Sequence, residues 1–186
     1  MKILIISILF FSLCAVSSAD VSFHSEYYRK VGHCSKAQGR VLNIGLGDGY
    51  AADHLLDNLS VDSIVSVDIS QEIIDSYRSR RGDNPRHLII AGDARIVPIT
   101  GRFNLVYIDI MDDYTREYVA VVKSIVTRVS SMLNPDGVII IEWYADVPLE
   151  RALRQWMADN FQEAGIEWVS DGTKQNSGHV QYWKKR

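Results

Sequence analysis

The sequence has 186 residues, of which 47% are hydrophobic, and a formal net charge of −3. This length and apolar content predict one globular domain with a substantial core. The slight acidity argues against a nucleic-acid-binding surface.

The first 19 residues have the layout of a secretory signal peptide. Lys2 supplies a positive charge, the run 3–16 is almost wholly apolar, and small residues precede Asp20. The apolar run is too short for a comfortable membrane span. We therefore expect cleavage after Ala19, a secreted or extracytoplasmic product without a stable membrane span, and a lead-in segment over 20–39. An uncleaved N-terminal anchor is the alternative.

From residue 40 to residue 186, segments with strand character alternate with segments of helical character. The patterns predict strands over 40–44, 63–67, 87–91, 104–108, 137–141, 166–169 and 179–183. They predict helices over 51–59, 71–80, 115–133 and 148–164, with an irregular link near 95–101. Several strands are apolar nearly throughout, which is typical of parallel strands covered on both faces.

These elements predict a doubly wound, Rossmann-like α/β domain over 40–186. Its sheet should have seven mainly parallel strands, with the last strand antiparallel because only a short loop, 170–178, joins it to the strand before. That ending is typical of class I methyltransferase-like sheets and unusual in NAD-binding sheets. In such folds the ligand lies beyond the carboxyl ends of the strands.

A glycine-rich turn follows the first strand. Gly45, Gly47 and Gly49 stand at alternate positions, and a helical pattern comes next. Without a Cβ, glycine lets the backbone approach a nucleoside closely. The G-x-G-x-G spacing differs from the G-x-G-x-x-G of dinucleotide sites, since Tyr50 follows the third glycine. It suits S-adenosylmethionine-type enzymes better, although a glycine turn without a ligand is the alternative.

Acidic residues at predicted strand ends complete a candidate cofactor site. Asp68 ends the second strand, where a carboxylate can accept hydrogen bonds from both ribose hydroxyls. A helix N-cap is its alternative role, although Ser70 could serve as that cap. After the third strand, Asp93 could accept from an adenine amine, and Ala94 is small enough to leave room for the ring. Asp48 could hold the donor's ammonium group.

The fourth strand ends at Asp109, and Asp112 and Asp113 follow shortly. Carboxylates near a cationic sulfonium could attract and deprotonate an amine nucleophile. We expect Asp109 and Asp112 to belong to the site. Asp113 is better explained as a cap of the helix that begins near Thr115.

Taken together, these motifs resemble those of the spermidine synthase family of aminopropyltransferases. The family's G-G-G-D-G corresponds to 45–49, including the unusual Asp48, and its G-D-A-R matches 92–95 residue for residue. Its D-S-S-D-P corresponds to 109–113, its L-x-P-x-G to 133–137, and its P-x-Y-P-S-G falls on 173–178. The family's N-terminal β-hairpin domain has no room here, and its Ser-Ser, late Pro and Tyr are replaced.

The resemblance implies aminopropyl transfer from decarboxylated S-adenosylmethionine to an amine. Asp109 would then accept the amine proton, Asp112 would bind the acceptor, and Asp48 and Asp68 would fix the donor. One alternative is methyl transfer from S-adenosylmethionine to a small molecule or protein. In that case Asp109, Asp112 and Glu142 would be the nearest candidates to ligate a divalent metal, although their spacing is not diagnostic of a metal site. The other is a non-catalytic nucleoside-binding domain. The sequence is compatible with a homo-oligomer and predicts no nucleic-acid partner.

Overall fold

The computed structural model describes residue 34 and residues 36–110, 116–142, 148–170 and 177–185. The predicted leader and almost all of the lead-in segment lie outside these residues. The strands are β1 (Gly39–Ile44), β2 (Val61–Asp68), β3 (His87–Ala91), β4 (Phe103–Ile108), β5 (Leu133–Ile141), β6 (Phe161–Ser170) and β7 (Ser177–Lys185). The helices are α1 (Tyr50–Asp57), α2 (Gln71–Arg81), α3 (Arg116–Ser130) and α4 (Pro148–Asn160).

The strands form one sheet in the order β3-β2-β1-β4-β5-β7-β6. Strands β1 to β5 run parallel, whereas β7 pairs antiparallel with both β5 and β6. This is the seven-stranded, class I methyltransferase-type sheet that the sequence predicts. The strand order reverses at β1, which lies between β2 and β4, so the carboxyl ends of these strands flank a crevice.

Alternate residues of the central strands pack on opposite faces of the sheet. On one face, Leu42 and Ile44 of β1 join the core that α3 and α4 cover. On the other, Val41 packs with Leu55 of α1 and with Cys34, which is buried. Both faces are therefore covered, and this explains why the central strands are apolar nearly throughout.

Two predicted helices end earlier than the sequence pattern indicates. The structure ends α3 at Ser130 and begins β5 at Leu133, which pairs with Phe103 of β4. It ends α4 at Asn160, and the buried Phe161 begins β6, which pairs with β7. Strand pairing with distant parts of the chain overrides the helical spacing at both places. Among the described residues, no helix has both the length and the apolar character to cross a membrane.

Candidate functional site

A cavity of about 510 Å³ opens at the carboxyl ends of β1, β2 and β4. Four separate parts of the chain meet there, and each was predicted to contribute to one site. The predicted residues that line the cavity are Gly45, Gly47, Asp48, Asp68, Asp93, Ala94 and Asp109. Gly49 lies beside it as the N-cap residue of α1, whereas Asp112 and Asp113 lie outside the described residues.

The glycine loop, residues 45–49, depends on its glycines for different reasons. All three have positive φ: 89° at Gly45, 52° at Gly47 and 83° at Gly49. A Cβ at Gly45 would overlap the carbonyl oxygen of Asp109, whereas one at Gly47 would meet nothing within 4 Å. Gly45 therefore lets the loop pass directly against the end of β4, and Gly47 leaves the cavity wall open.

The Asp68 carboxylate holds the glycine loop in place. It is 8% exposed, and its Oδ2 accepts hydrogen bonds from the amides of Leu46, at 2.7 Å, and Gly47, at 3.4 Å. Its Oδ1 accepts from the amide of Ser70 at 2.8 Å. The Ser70 hydroxyl in turn caps α2 by accepting from the Ile73 amide. Asp68 is thus a cavity-lining carboxylate fixed by backbone amides, and Ser70 is the N-cap.

Asp48 and Asp93 also have local partners. Asp48 is exposed, and its Oδ1 accepts from the Tyr50 amide at 3.0 Å. Arg95 donates from Nε to both oxygens of Asp93, at 3.0 and 2.9 Å, and these hydrogen bonds lower the pKa of Asp93. Ala94 is nearly buried and lines the cavity beside them. The sequence motif included Arg95, but its role as the partner of Asp93 emerges only from the structure.

Two acidic residues end the neighbouring strands β4 and β5. The amide of Asp109 donates to Ile44 of β1 at 2.8 Å, and the amide of Glu142 donates to Ile108 of β4 at 2.9 Å. Glu142 is buried and accepts a 2.6 Å hydrogen bond from the hydroxyl of Tyr107. Burial, followed by the nearby carboxylates, raises the pKa of Tyr107 well above its ordinary value. The hydroxyl of Tyr107 therefore stays protonated and remains a hydrogen-bond donor to Glu142.

Within the described residues, no group of three or more His, Cys, Asp or Glu side chains could hold a metal ion. Asp109 and Glu142 alone of the three candidate metal ligands lie in that part of the chain, because Asp112 falls outside it.

The remaining cavity wall is apolar, and sequence reasoning missed most of it. Ile69 and Ile110 line the cavity next to the acidic strand ends, and Tyr118, Val121 and Ile125 line it from α3. In the sequence of this helix, apolar residues that include Ile125 recur at spacings of three and four, as one buried face requires. Tyr118 and Val121 precede it by seven and four residues, so helical spacing puts them on the same face. That spacing was the available signal.

The central part of the chain matches a family model described as a methyltransferase domain. The match covers residues 41–137, just over half of the chain. It spans the glycine loop, Asp68, Asp93 and Asp109, and ends within β5. The chain belongs to the methyltransferase-domain family.

Solved structures share the fold of this methyltransferase domain. The N-methyltransferase NodS from Bradyrhizobium japonicum WM9 is 14% identical with a TM-score of 0.70, over 88% of this chain and 96% of that one. The glycopeptide N-methyltransferase MtfA, solved with S-adenosyl-L-methionine, is 14% identical with a TM-score of 0.64, over 87% and 93% of the two chains. An rRNA methylase from Streptococcus thermophilus is 10% identical with a TM-score of 0.62, over 89% and 97%.

These comparisons favour the general class over the specific family suggested by the motifs. At such identities, the solved structures show a shared fold alone. No curated protein sequence matches the chain. The findings support a methyltransferase domain with the class I fold and give no specific support to membership of the spermidine synthase family.

Proposed function

We propose that this domain transfers the methyl group of S-adenosylmethionine to a nucleophile on a small molecule or protein. The observation that carries the proposal is the convergence, on one cavity, of an open glycine loop and of carboxylates at the ends of two neighbouring strands. Gly47 leaves the wall free of side chain, and Asp68 and Asp93 lie at the cavity. A nucleoside with a sulfonium side chain needs these features: close backbone approach, ribose acceptors and an adenine partner.

The donor roles follow from the remaining hydrogen-bonding capacity of each carboxylate. Asp68 accepts from three backbone amides, but a carboxylate has about four lone-pair sites, so it can still accept from a ribose hydroxyl. Asp93, held by Arg95, faces the adenine end of the proposed site, beside Ala94. Asp48 is placed for the donor's ammonium group. The fixed backbone contacts of these residues preorganise the site before the donor binds.

Asp109 lines the cavity next to the glycine loop and is our candidate for the catalytic base. An attacking amine would form a bond to the methyl carbon while the carbon–sulfur bond breaks and its electron pair passes to sulfur. The methylated nitrogen then carries a surplus proton, or the amine gives one up before attack, and Asp109 would accept it. Such general-base help contributes typically about 10²–10⁴-fold in rate. Asp112 remains our candidate for binding the acceptor.

An amine is the acceptor class that these acidic residues favour. The carboxylate of Asp109 lines the cavity, and it would attract a cationic amine before that amine gives up its proton. N-methyltransferases among the solved structures of the same fold are in line with this choice.

Aminopropyl transfer from decarboxylated S-adenosylmethionine is the second candidate. The observation that favours it is the Gly92-Asp93-Ala94-Arg95 segment, in which Arg95 binds the carboxylate of Asp93. The two reactions share the nucleoside site and the proton acceptor. They differ in which carbon next to the sulfonium is attacked, so the products distinguish them.

A two-donor assay tests these proposals. The protein is incubated with a panel of small amines and peptides, either with methyl-labelled S-adenosylmethionine or with decarboxylated donor, and products are identified by mass spectrometry. We expect methyl transfer from the first donor and its loss in Asp109→Asn, which keeps the shape but removes the base. Aminopropylated product alone would favour the second candidate. Donor binding without turnover of either donor would favour a non-catalytic nucleoside-binding domain.

A further inference from the structure

The glycine loop is supported on the side that faces away from the donor cavity as well. There it faces α2, and a second cavity of about 400 Å³ lies between them, lined by Gly47, Asp48, Tyr77 and Arg80 among others. Side-chain packing therefore leaves the back of the loop partly open. A side chain that spans this gap can therefore restrain the backbone of the loop from the α2 side.

Arg80 of α2 crosses the gap. Its Nη2 donates a hydrogen bond to the carbonyl oxygen of Asp48, within the glycine loop. Its guanidinium carbon lies 5.6 Å from the centroid of the Tyr77 ring, which is a cation–π arrangement. A Cβ at Gly49 would overlap that ring and come within 2.9 Å of Arg80 Nη2. The backbone of the loop thus lies directly against this pair of side chains.

A buried carboxylate anchors the pair. Asp53, in the first turn of α1, is 6% exposed and accepts a 2.9 Å hydrogen bond from the hydroxyl of Tyr77. It forms an ion pair with Arg81, and its Oδ2 lies 3.7 Å from Nη1 of Arg80. Burial and the hydrogen bond to Asp53 raise the pKa of Tyr77, so this phenol keeps its proton and remains a donor. The loop, α1 and α2 are therefore joined at one point.

We propose that Arg80 is a positioning residue for the donor. By holding the carbonyl of Asp48, it keeps the amides of Leu46 and Gly47 in register with Asp68 on the opposite side of the loop. The effect on donor affinity rests on the proposed function, whereas the effect on the loop does not.

Two neighbouring arginines of α2 offer matched controls. Arg81 pairs with Asp53, and within the part of the chain that the structure describes it forms no hydrogen bond or ion pair with the glycine loop. Arg78 donates to the carbonyl of Ile89 on β3, at 3.3 Å, away from the loop. All three side chains are basic and lie on the same helix. Only Arg80 should couple to the donor site.

The test compares Arg80→Ala, Arg80→Lys, Arg81→Ala and Arg78→Ala. Hydrogen exchange of the peptide containing residues 46–50 is measured without ligand, S-adenosylhomocysteine affinity by calorimetry, and Tm by thermal unfolding. We expect Arg80→Ala to accelerate exchange in this peptide and to raise the Kd about tenfold, because it removes a hydrogen bond from a charged donor. Arg80→Lys should restore much of both, since an ammonium can reach the same carbonyl. Arg81→Ala should lower Tm with little change in loop exchange or Kd, and Arg78→Ala should change none of the three.

Each other outcome is decisive as well. Wild-type loop exchange in Arg80→Ala would overturn the positioning role, even if the protein binds the ligand and the proposed function stands. A rise in Kd in Arg81→Ala as large as that in Arg80→Ala would also overturn it, because general loss of the α1–α2 contact would then explain both. If no protein binds S-adenosylhomocysteine but Arg80→Ala still loosens the loop, the proposed function fails and the positioning of the loop stands.

Discussion

The half of the cavity formed at the ends of β1, β2 and β3 differs from the half formed by the end of β4 and by α3 in how its wall is built. In the first half, Asp48, Asp68 and Asp93 all accept hydrogen bonds from nearby amides or from Arg95. These carboxylates lie in or near the glycine loop, in which all three glycines have positive φ. In the second half, the wall next to Asp109 is largely apolar and comes mainly from α3.

This difference indicates which half of the cavity has its geometry fixed before a ligand binds. Carboxylates that are fixed by backbone amides keep their position whether or not a donor is present, so the first half is preorganised for one kind of molecule. An apolar wall beside one cavity-lining carboxylate imposes fewer constraints, because apolar contact is not directional. We therefore expect substitutions in the first half to alter donor binding, and those in the second half to alter the acceptor or the rate.

The largest expected effect comes from placing a side chain where the two halves touch. Gly45→Ala should destabilise the protein by about 4 kcal/mol or more, since its Cβ would overlap the Asp109 carbonyl and the residue has positive φ. Gly47→Ala has the positive φ without the overlap, and should cost about 1 kcal/mol. Urea unfolding of both variants checks this. Equal costs would mean that β4 does not constrain the loop.

Acid should lower the free energy of unfolding through one half-buried histidine. His87 on β3 lies 2.7 Å from the Ser66 hydroxyl of β2, and burial lowers its pKa from 6.5 to about 4. As the pH falls, the unfolded chain binds this proton first, so the free energy of unfolding should decrease between pH 6.5 and pH 4 and then level off. The loss from this residue should reach up to about 3 kcal/mol.

Denaturant unfolding across this pH range, in the wild type and in His87→Gln, isolates the contribution. The variant keeps a polar group near Ser66 but cannot titrate, so its stability should depend less on pH by the stated amount. The same slope in both proteins would show that other groups cause the acid sensitivity.

Donor affinity should depend on Asp68 most among the acidic residues of the first half. Asp68→Ala removes a buried, charged acceptor of several hydrogen bonds and should weaken S-adenosylhomocysteine binding by about ten- to hundredfold, or roughly 1.5–3 kcal/mol. Exposed Asp62, elsewhere on β2, supplies the control Asp62→Ala, which should bind normally. Calorimetry of the variants measures the effect, and an unchanged Kd in Asp68→Ala would remove this residue from the site.

The smallest expected effect concerns the ion pair between half-buried Asp93 and exposed Arg95. Arg95 is 44% exposed, and ion pairs of exposed side chains contribute little because water screens them. Arg95→Ala should therefore raise the donor Kd by no more than about fivefold and leave Tm nearly unchanged. A larger rise in Kd would mean that Arg95 itself contacts the donor.

The sequence predicts the fold well because its central strands are buried on both faces and read as apolar runs. The predicted strand over 87–91 matches β3 residue for residue. The ends of α3 and α4 could not be placed, since Leu133 and Phe161 enter strands through pairing with distant residues. The segments from 111 to 115 and from 143 to 147 lie outside the described residues, so the prediction for Asp112 is untested.

Residues of the candidate site could be predicted where a sequence motif contains them. They could not be predicted where tertiary packing alone brings them to the site. Gly45, Asp68 and Asp93 were identified because they end strands or form a glycine turn. The role of Arg80 was not, because nothing in its spacing shows that α2 packs against the glycine loop. The backbone amides that donate to Asp68 could not be predicted from the sequence either, since only the folded loop directs them toward the carboxylate.

The most direct test of the central claim, that the cavity binds an S-adenosylmethionine-type donor, is calorimetric titration of the protein. S-adenosylmethionine, its decarboxylated form and methylthioadenosine are titrated in turn. We expect S-adenosylmethionine to bind at one site per chain and more tightly than methylthioadenosine, which lacks the ammonium group that Asp48 would contact. Binding of the decarboxylated form in preference to S-adenosylmethionine would favour aminopropyl transfer. No binding of any of the three ligands would contradict the account.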